Sequence, residues 1–286
     1  MICTVCNKKM GKGLELWHFR CDSCRHESAE FKDEINNSIA NENLDEDLRL
    51  EALRPIRDAN FKQIIGVLNK NGFNLKNKSS LDVGCAHGWF MAQLRGAGSK
   101  PVRGIEPDKR IFDKFSKDVT YGYFPNVLSK KDKFDLISFN DVLEHIPDTR
   151  ETLRGCMEHL NDNGLLVLNL PSSQGMLYRT SKLLHKVGLR IPFERLWQKG
   201  LPSPHVHYYN PQNLNRLALD MGFKTVHIGK LQSVSRSGLK ERIGYDASDK
   251  SLIRKLKNYA LYISIYIMSP ILNILPSDIQ LIILQK

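Results

Sequence analysis

Glycine and proline are scarce, 19 and 12 of 286 residues, which excludes collagen-like and low-complexity chains. The opening Met1-Ile2-Cys3-Thr4-Val5-Cys6 lacks the basic and apolar stretches of a secretory leader, so a reducing, cytoplasmic setting is expected. Internal repeats are missing, and only one charge-free run, near the carboxyl end, has the length of a membrane span. Acidic excess is missing too. The net charge is +11, and residues 171–286 carry 17 basic against 6 acidic side chains, an excess equal to the whole. That balance suits an acidic partner (a phosphorylated small molecule, a nucleic acid or an anionic membrane) or a solvated basic surface.

Cysteine is rare but placed. Four of the six, Cys3, Cys6, Cys21 and Cys24, read C-x2-C-x14-C-x2-C, the spacing of two knuckles gripping one tetrahedral ion. Leu14–Arg20 alternates as a strand after a Gly11-Lys12-Gly13 turn, so residues 1–30 are expected to form a zinc ribbon with a structural Zn2+. Two disulfides are the other pairing of the same residues, disfavoured in a reducing compartment. Cys156 is expected to pack within a helix, and Cys85 has no partner by spacing. Residues 31–60 carry 8 acids against 4 bases and read as an acidic helical linker.

From Phe61 short apolar runs alternate with helical stretches, the pattern of a parallel sheet covered on both faces. Expected strands are Ser80–Gly84, Val102–Glu106, Phe134–Asn140 and Leu165–Leu170. Expected helices are Phe61–Asn69, Trp89–Arg95 and Arg150–Leu160. The turn after the first strand reads D-x-G-x-A-x-G over Asp82–Gly88, with Ala86 where a dinucleotide fingerprint would place glycine. Asp82 at the strand end would repel a pyrophosphate and suits a cationic ligand. Glu106 ends the next strand, where a carboxylate accepts ribose hydroxyls.

These motifs, Leu81–Gly88, Gly104-Ile105-Glu106-Pro107, Phe134–Pro147 and Asn210–Phe223, resemble those of class I S-adenosylmethionine-dependent methyltransferases. The resemblance covers about residues 60–286. It implies an α/β Rossmann-like sheet, parallel with one antiparallel strand, and S-adenosyl-L-methionine as cofactor. It further implies cofactor contacts from Asp82, Gly84, Cys85, Gly88, Glu106, Pro107 and Asn140. The third-strand region, Val119–Phe124, departs from the family in lacking the acid that commonly meets the adenine, which leaves Phe124 for that contact.

Residues that follow the strand ending at Asn140 lie on the ligand side of such a sheet. Among them His145 is the expected general base, its ordinary pKa lying near neutrality; capping or packing is its structural alternative. Residues 171–205 form a basic insertion with the length of a lid. His205, His207 and Tyr208 follow it as candidate acceptor contacts. A helical hairpin is expected over 245–277 before the last strand. Its core, Leu252–Leu275, is apolar on all faces and preceded by Lys250, Arg254, Lys255 and Lys257, which suits the inner membrane surface; packing on a second subunit or on its own domain is the alternative. Pro270 and the strand beyond it argue against a span.

The resemblance leans toward methyl transfer to a sugar-containing, nucleotide- or lipid-linked acceptor in polysaccharide biosynthesis. An rRNA or tRNA methyltransferase is the second expectation, although the ribbon segment at +1 makes a poor phosphate clamp. A non-catalytic cofactor-binding scaffold is the third.

Overall fold

The computed structural model describes residues 1–32, 35–36, 46–114, 118–233, 259, 262–263, 266 and 275–286, with the side chains of 46–52 left aside. Seven strands form the main sheet: β4 (Ser80–Val83), β5 (Val102–Glu106), β6 (Val119–Tyr121), β7 (Phe134–Asn140), β8 (Leu160–Pro171), β10 (Lys224–Leu231) and β11 (Ile279–Gln285). Their order is β10-β11-β8-β7-β4-β5-β6; β11 runs antiparallel to both its neighbours, β10 and β8, and the pairs from β8 to β6 are parallel. The central strands are buried on both faces, which is why they read as continuous apolar runs. Successive residues point to opposite sides: Leu166 and Leu168 join one core, with Ile137 and Phe139, while Leu165 and Val167 join the other, with Leu136 and Ile283. Helices α1 (Glu46–Lys70), α2 (Trp89–Gly96), α3 (Lys109–Phe112), α4 (Thr149–His159) and α7 (Pro211–Asp220) serve the main sheet. Cys156 is fully buried within α4. The Asn210–Asn213 capping box starts α7, and Asp148 caps α4.

The expected linker is helical in its second half. The helix expected from Phe61 begins at Glu46 and continues through residue 60, so the helical part of the linker and that helix are one element. The ribbon strand also differs from expectation. Gly11–Lys12 is β1, His18–Arg20 is β2, and Gly13–Trp17 make the turn between them. The Leu14 amide donates to His18 Nδ1 (2.9 Å), drawing the alternating segment into the bend.

A second sheet, β1-β2-β3-β9, pairs ribbon strand β3 (Glu27–Ala29) with β9 (His207–Tyr208), so the ribbon is not a detachable unit. Arg150 on α4 donates to the carbonyls of Thr4 and Val5 at 2.7 and 2.9 Å. Cys3, Val5, Met10 and Cys21 pack in the same apolar cluster as Tyr209, Leu214 and Phe223.

The insertion folds as α5 (Met176–Lys186) and α6 (Ile191–Leu196). Expected as a lid, most of it is instead a buttress on the ribbon. Tyr178, Phe193 and Trp197 pack with Trp17 and Tyr208. Glu27 accepts from His18 Nε2 (2.9 Å), Tyr178 Oη (2.7 Å) and Lys182 Nζ (2.6 Å). Burial opposes ionisation of Glu27, but His18 and Lys182 overcome it and hold the carboxyl down at about 2. A depressed carboxylate stabilises the fold above its unfolded pKa, and the gain drains away as pH falls from about 4.5 to about 2. The full gain is about 3 kcal/mol. In urea unfolding, the wild-type advantage over Glu27→Gln is therefore expected to be constant from pH 7 to 5 and to shrink below 4.5. An advantage independent of pH would refute this role.

Among the described residues no helix is long and apolar enough to cross a membrane. The expected hairpin at 245–277 lies almost wholly outside the described residues.

Candidate functional site

A cavity of about 290 Å³ opens beyond the carboxyl ends of β4, β5, β6 and β7. Gly84 leads out of β4 with φ +64°, and a Cβ there would stand 2.5 Å from Val142 Cγ2; only glycine fits this close approach. Ala86 takes φ +44°, a left-handed conformation costing an alanine about 1–2 kcal/mol. Its amide is held by Glu106 Oε2 at 2.7 Å, and Glu106 Oε1 accepts from the Asp108 amide at 2.9 Å. Burial, opposed by these two amides, raises the Glu106 pKa. Each carboxylate oxygen can accept one further hydrogen bond, and Glu106 lines the cavity.

Of the cofactor residues expected from the sequence, Gly84, Glu106, Pro107, Phe124 and Asn140 line the cavity. Asp82, Cys85 and Gly88 are not among the lining residues. Asp82 Oδ1 accepts from Ser138 Oγ (2.7 Å) and Asn140 Nδ2 (3.1 Å), so it acts by orienting Asn140. Burial pushes its carboxyl up to about 7 against those two hydrogen bonds. A cationic ligand next to Asn140 would favour the ionised form. Cys85 packs under the second strand: a Cβ on Gly104 would meet its Sγ at 2.7 Å. Gly88, with φ +68°, is the N-cap of α2.

At the other end of the cavity stand His145, Ile146 and Pro147, faced by Gln198, Leu201, Pro202 and Ser203 from the end of the insertion. His145 lies in a 3₁₀ turn, Leu143–His145, just beyond β7. Its Nδ1 is 3.0 Å from the Pro204 carbonyl, which only accepts, so Nδ1 carries the proton and Nε2 the lone pair. Glu144 is 1% exposed, and neither of its carboxylate oxygens has a hydrogen-bond partner among the described residues. The Nε2 atoms of His145 and His205 both stand 3.9 Å from Glu144 Oε1.

His205, His207 and Tyr208, expected to touch the acceptor, do not line the cavity. His207 bonds Ser28 Oγ and the Pro147 carbonyl, both at 3.0 Å, and Tyr208 Oη donates to the Leu196 carbonyl at 2.9 Å. Both side chains are buried at the ribbon junction. Residues that the sequence did not single out include Arg57, Tyr123 and Gln198; Ile35 and Leu53 come from the supposed linker. Arg57 pairs with Asp141 at 3.2 Å. Only their placement in the fold reveals them.

The four ribbon cysteines offer sulfurs all within 4.8 Å of one another. Cys3–Cys24 and Cys6–Cys21 approach to 3.4 Å, far beyond the ~2.05 Å of a disulfide. Four converging sulfurs fit a tetrahedral thiolate site, for which S–S separations near 3.8 Å follow from bonds of about 2.3 Å. His26 Nδ1 stands 3.5 Å from Cys3 Sγ, placed to support that ligand.

Residues 56–228 match the profile of a family described as a methyltransferase domain. A tRNA U34 carboxymethyltransferase from Helicobacter acinonychis is 30% identical over 158 residues, 46% of this chain and 60% of that protein. Another, from Pseudomonas fluorescens, is 30% identical over 105 residues, 33% of each chain. The chain thus spans less than two thirds of these curated relatives. Among solved structures, a mycolic acid cyclopropane synthase complexed with SAH superposes with a TM-score of 0.59, at 17% identity over 90% of this chain and all of that one. The cyclopropane synthase MmaA2 from Mycobacterium tuberculosis gives 0.57 at 17% identity, with the same shares covered. At such identity the likeness is one of fold.

Proposed function

The chain belongs to the family of S-adenosylmethionine-dependent methyltransferase domains, and we propose that its acceptor is a small polar molecule received beside His145. The observation that supports a small acceptor is the wall there. Gln198, Leu201, Pro202 and Ser203 of the insertion line the cavity together with His145, Ile146 and Pro147, and the whole space is only about 290 Å³, which suits a small acceptor better than a polymer. Bound, the cofactor supplies an electrophilic methyl on a sulfonium leaving group. Glu106 accepts the ribose hydroxyls, Asn140 is held in place by Asp82, and Phe124 borders the adenine. His145 meets the acceptor and takes its proton where that acceptor is a hydroxyl or amine. The leading class is a sugar, nucleotide- or lipid-linked. In the ribbon we propose one Zn2+ on Cys3, Cys6, Cys21 and Cys24, with a structural role because all four positions are filled by the protein.

The test is transfer of labelled methyl groups into small-molecule pools and into tRNA from cells lacking the protein. Label in a low-mass sugar-containing product supports the proposal, and label in tRNA alone overturns it. His145→Ala is expected to lower turnover by 10²-fold or more with cofactor affinity by calorimetry unchanged. Equal losses in both would make His145 a support of the cofactor pocket.

A second reading, RNA modification, is favoured by the carboxymethyltransferase relatives. The insertion gives it little help. Of its basic side chains, Lys182 pairs with Glu27, Lys199 with Glu194, and Arg190 approaches Glu15, leaving fewer for phosphates. A tRNA complex whose affinity falls steeply with salt would favour it.

A further inference from the structure

The cavity wall beside His145 backs onto a cluster that neither the cofactor nor the ribbon uses. Glu144, His145 and His205 bring one carboxylate and two imidazoles together, with one donor atom from each within 4.8 Å of the others. Glu144 is the unusual member. It is buried to 1% exposure and both oxygens lack a hydrogen-bond partner among the described residues. A buried carboxylate so placed costs several kcal/mol unless a proton or a cation compensates it.

We propose that Glu144, His145 and His205 bind a divalent transition-metal ion, of the class that takes mixed nitrogen and oxygen ligands, such as Zn2+ or Fe2+. Three observations carry this. First, the Nε2 atoms of both histidines face the same Glu144 oxygen at 3.9 Å, too far for a hydrogen bond. Two metal bonds of about 2.1 Å at a tetrahedral angle need ~3.4 Å, so an ion between them asks the side chains to close by about half an ångström. Second, the tautomer of His145 is already set for ligation: Nδ1–H donates to the Pro204 carbonyl, which leaves the Nε2 lone pair toward Glu144. Third, the position is anchored in the backbone, because the Val206 amide donates to the Glu144 carbonyl at 2.8 Å and so ties the two ligand segments together.

Gln198 contacts His205 Nε2 through its amide at 2.9 Å. For His205 Nε2 to ligate, this contact must be given up, which rotation of the Gln198 amide would allow. Because His145 and Gln198 both line the cavity, an ion held here would lie at its wall, beside the proposed acceptor pocket. On the reading of the acceptor given above, the general-base role of His145 belongs to the metal-free protein, because an ion on Nε2 would occupy the lone pair that takes the proton. The competing state is a protonated, neutral Glu144, and it needs no metal.

The two states separate by metal content, without any acceptor or cofactor. The full chain is saturated with Zn2+, dialysed and analysed for metal per chain; in parallel, protein holding one zinc per chain is titrated calorimetrically with Zn2+, and anaerobically with Fe2+. The expected result is two zinc ions per wild-type chain, with one in Glu144→Gln and in His205→Gln, both checked for an unchanged circular dichroism spectrum. Because the wild-type measurement needs no variant, a misfolded variant does not spoil the test. One metal per wild-type chain, with no further binding of either ion at 100 µM (about 5.5 kcal/mol of affinity), would overturn the proposal. So would a second zinc that survives in both variants. Failure of the acceptor reading would appear separately, as label in tRNA with the second metal still bound.

Discussion

Cys21→Ser is expected to abolish zinc binding and to lower the melting temperature of the whole chain, not of the ribbon alone. Cys3 and Cys21 are fully buried, and they sit in one apolar cluster with Tyr209, Leu214 and Phe223 of the methyltransferase domain. Loosening the knuckles therefore withdraws packing from Tyr209, α4 and α7 together. Arg150 loses the Thr4 and Val5 carbonyls that now receive its guanidinium. Structural zinc in small sites contributes on the order of 10–16 kcal/mol at neutral pH, as much as a whole domain's usual 5–15 kcal/mol of stability. Even a fraction of that loss suffices to unfold the chain. Elemental analysis paired with calorimetric melting checks this. A variant that keeps one zinc, or one that loses it while cofactor binding and melting stay as in wild type, would show that ribbon and domain are energetically independent.

Glu106→Ala should weaken S-adenosylmethionine by at least tenfold and up to several hundredfold. Two ribose hydrogen bonds to a carboxylate are lost, each worth about 1.5–3 kcal/mol when the acceptor is charged, less the water that replaces them. The carboxylate also holds the Ala86 and Asp108 amides, so its removal frees a turn in which Ala86 sits at an unfavourable φ. Glu106→Gln separates the two effects. It retains one acceptor oxygen for a backbone amide and loses the other, so its affinity is expected to fall between wild type and alanine. Calorimetry reads both, and an alanine variant with wild-type affinity would remove Glu106 from the site.

Much of the main sheet was legible because its strands are short apolar runs bounded by turn residues, and Phe134–Asn140 matches β7 residue for residue. The cavity residues on strand ends, Gly84, Glu106 and Asn140, were legible for the same reason: strand order places them on one side. What lay hidden was tertiary. Nothing in the spacing of His207 and Tyr208 says that they pair with Ser28 and Glu27, because that register is set by a strand 179 residues away. Nor does the local sequence of Ile35 or Leu53 reveal that a segment composed like a linker borders the cavity. Asp82 looked like a direct ligand because its charge suits a cation, whereas its geometry spends that charge on Ser138 and Asn140. The apolar segment at 245–277 kept its sequence signal but lies almost wholly outside the described residues.

The pairing of Ser28 with His207 also sets an order of events during synthesis. Ribbon strand β3 leaves the ribosome 179 residues before its partner, a wait on the order of 10–40 s at roughly 5–20 residues per second. Until β9 arrives, one edge of β3 has no strand beside it, and open edges recruit other chains. The loop closed by this pairing is entropically costly and forms late. Nascent chains halted before residue 207 should therefore be far more prone to associate than chains halted after Tyr209, and the long interval between the emergence of β3 and that of β9 is where a chaperone would matter most.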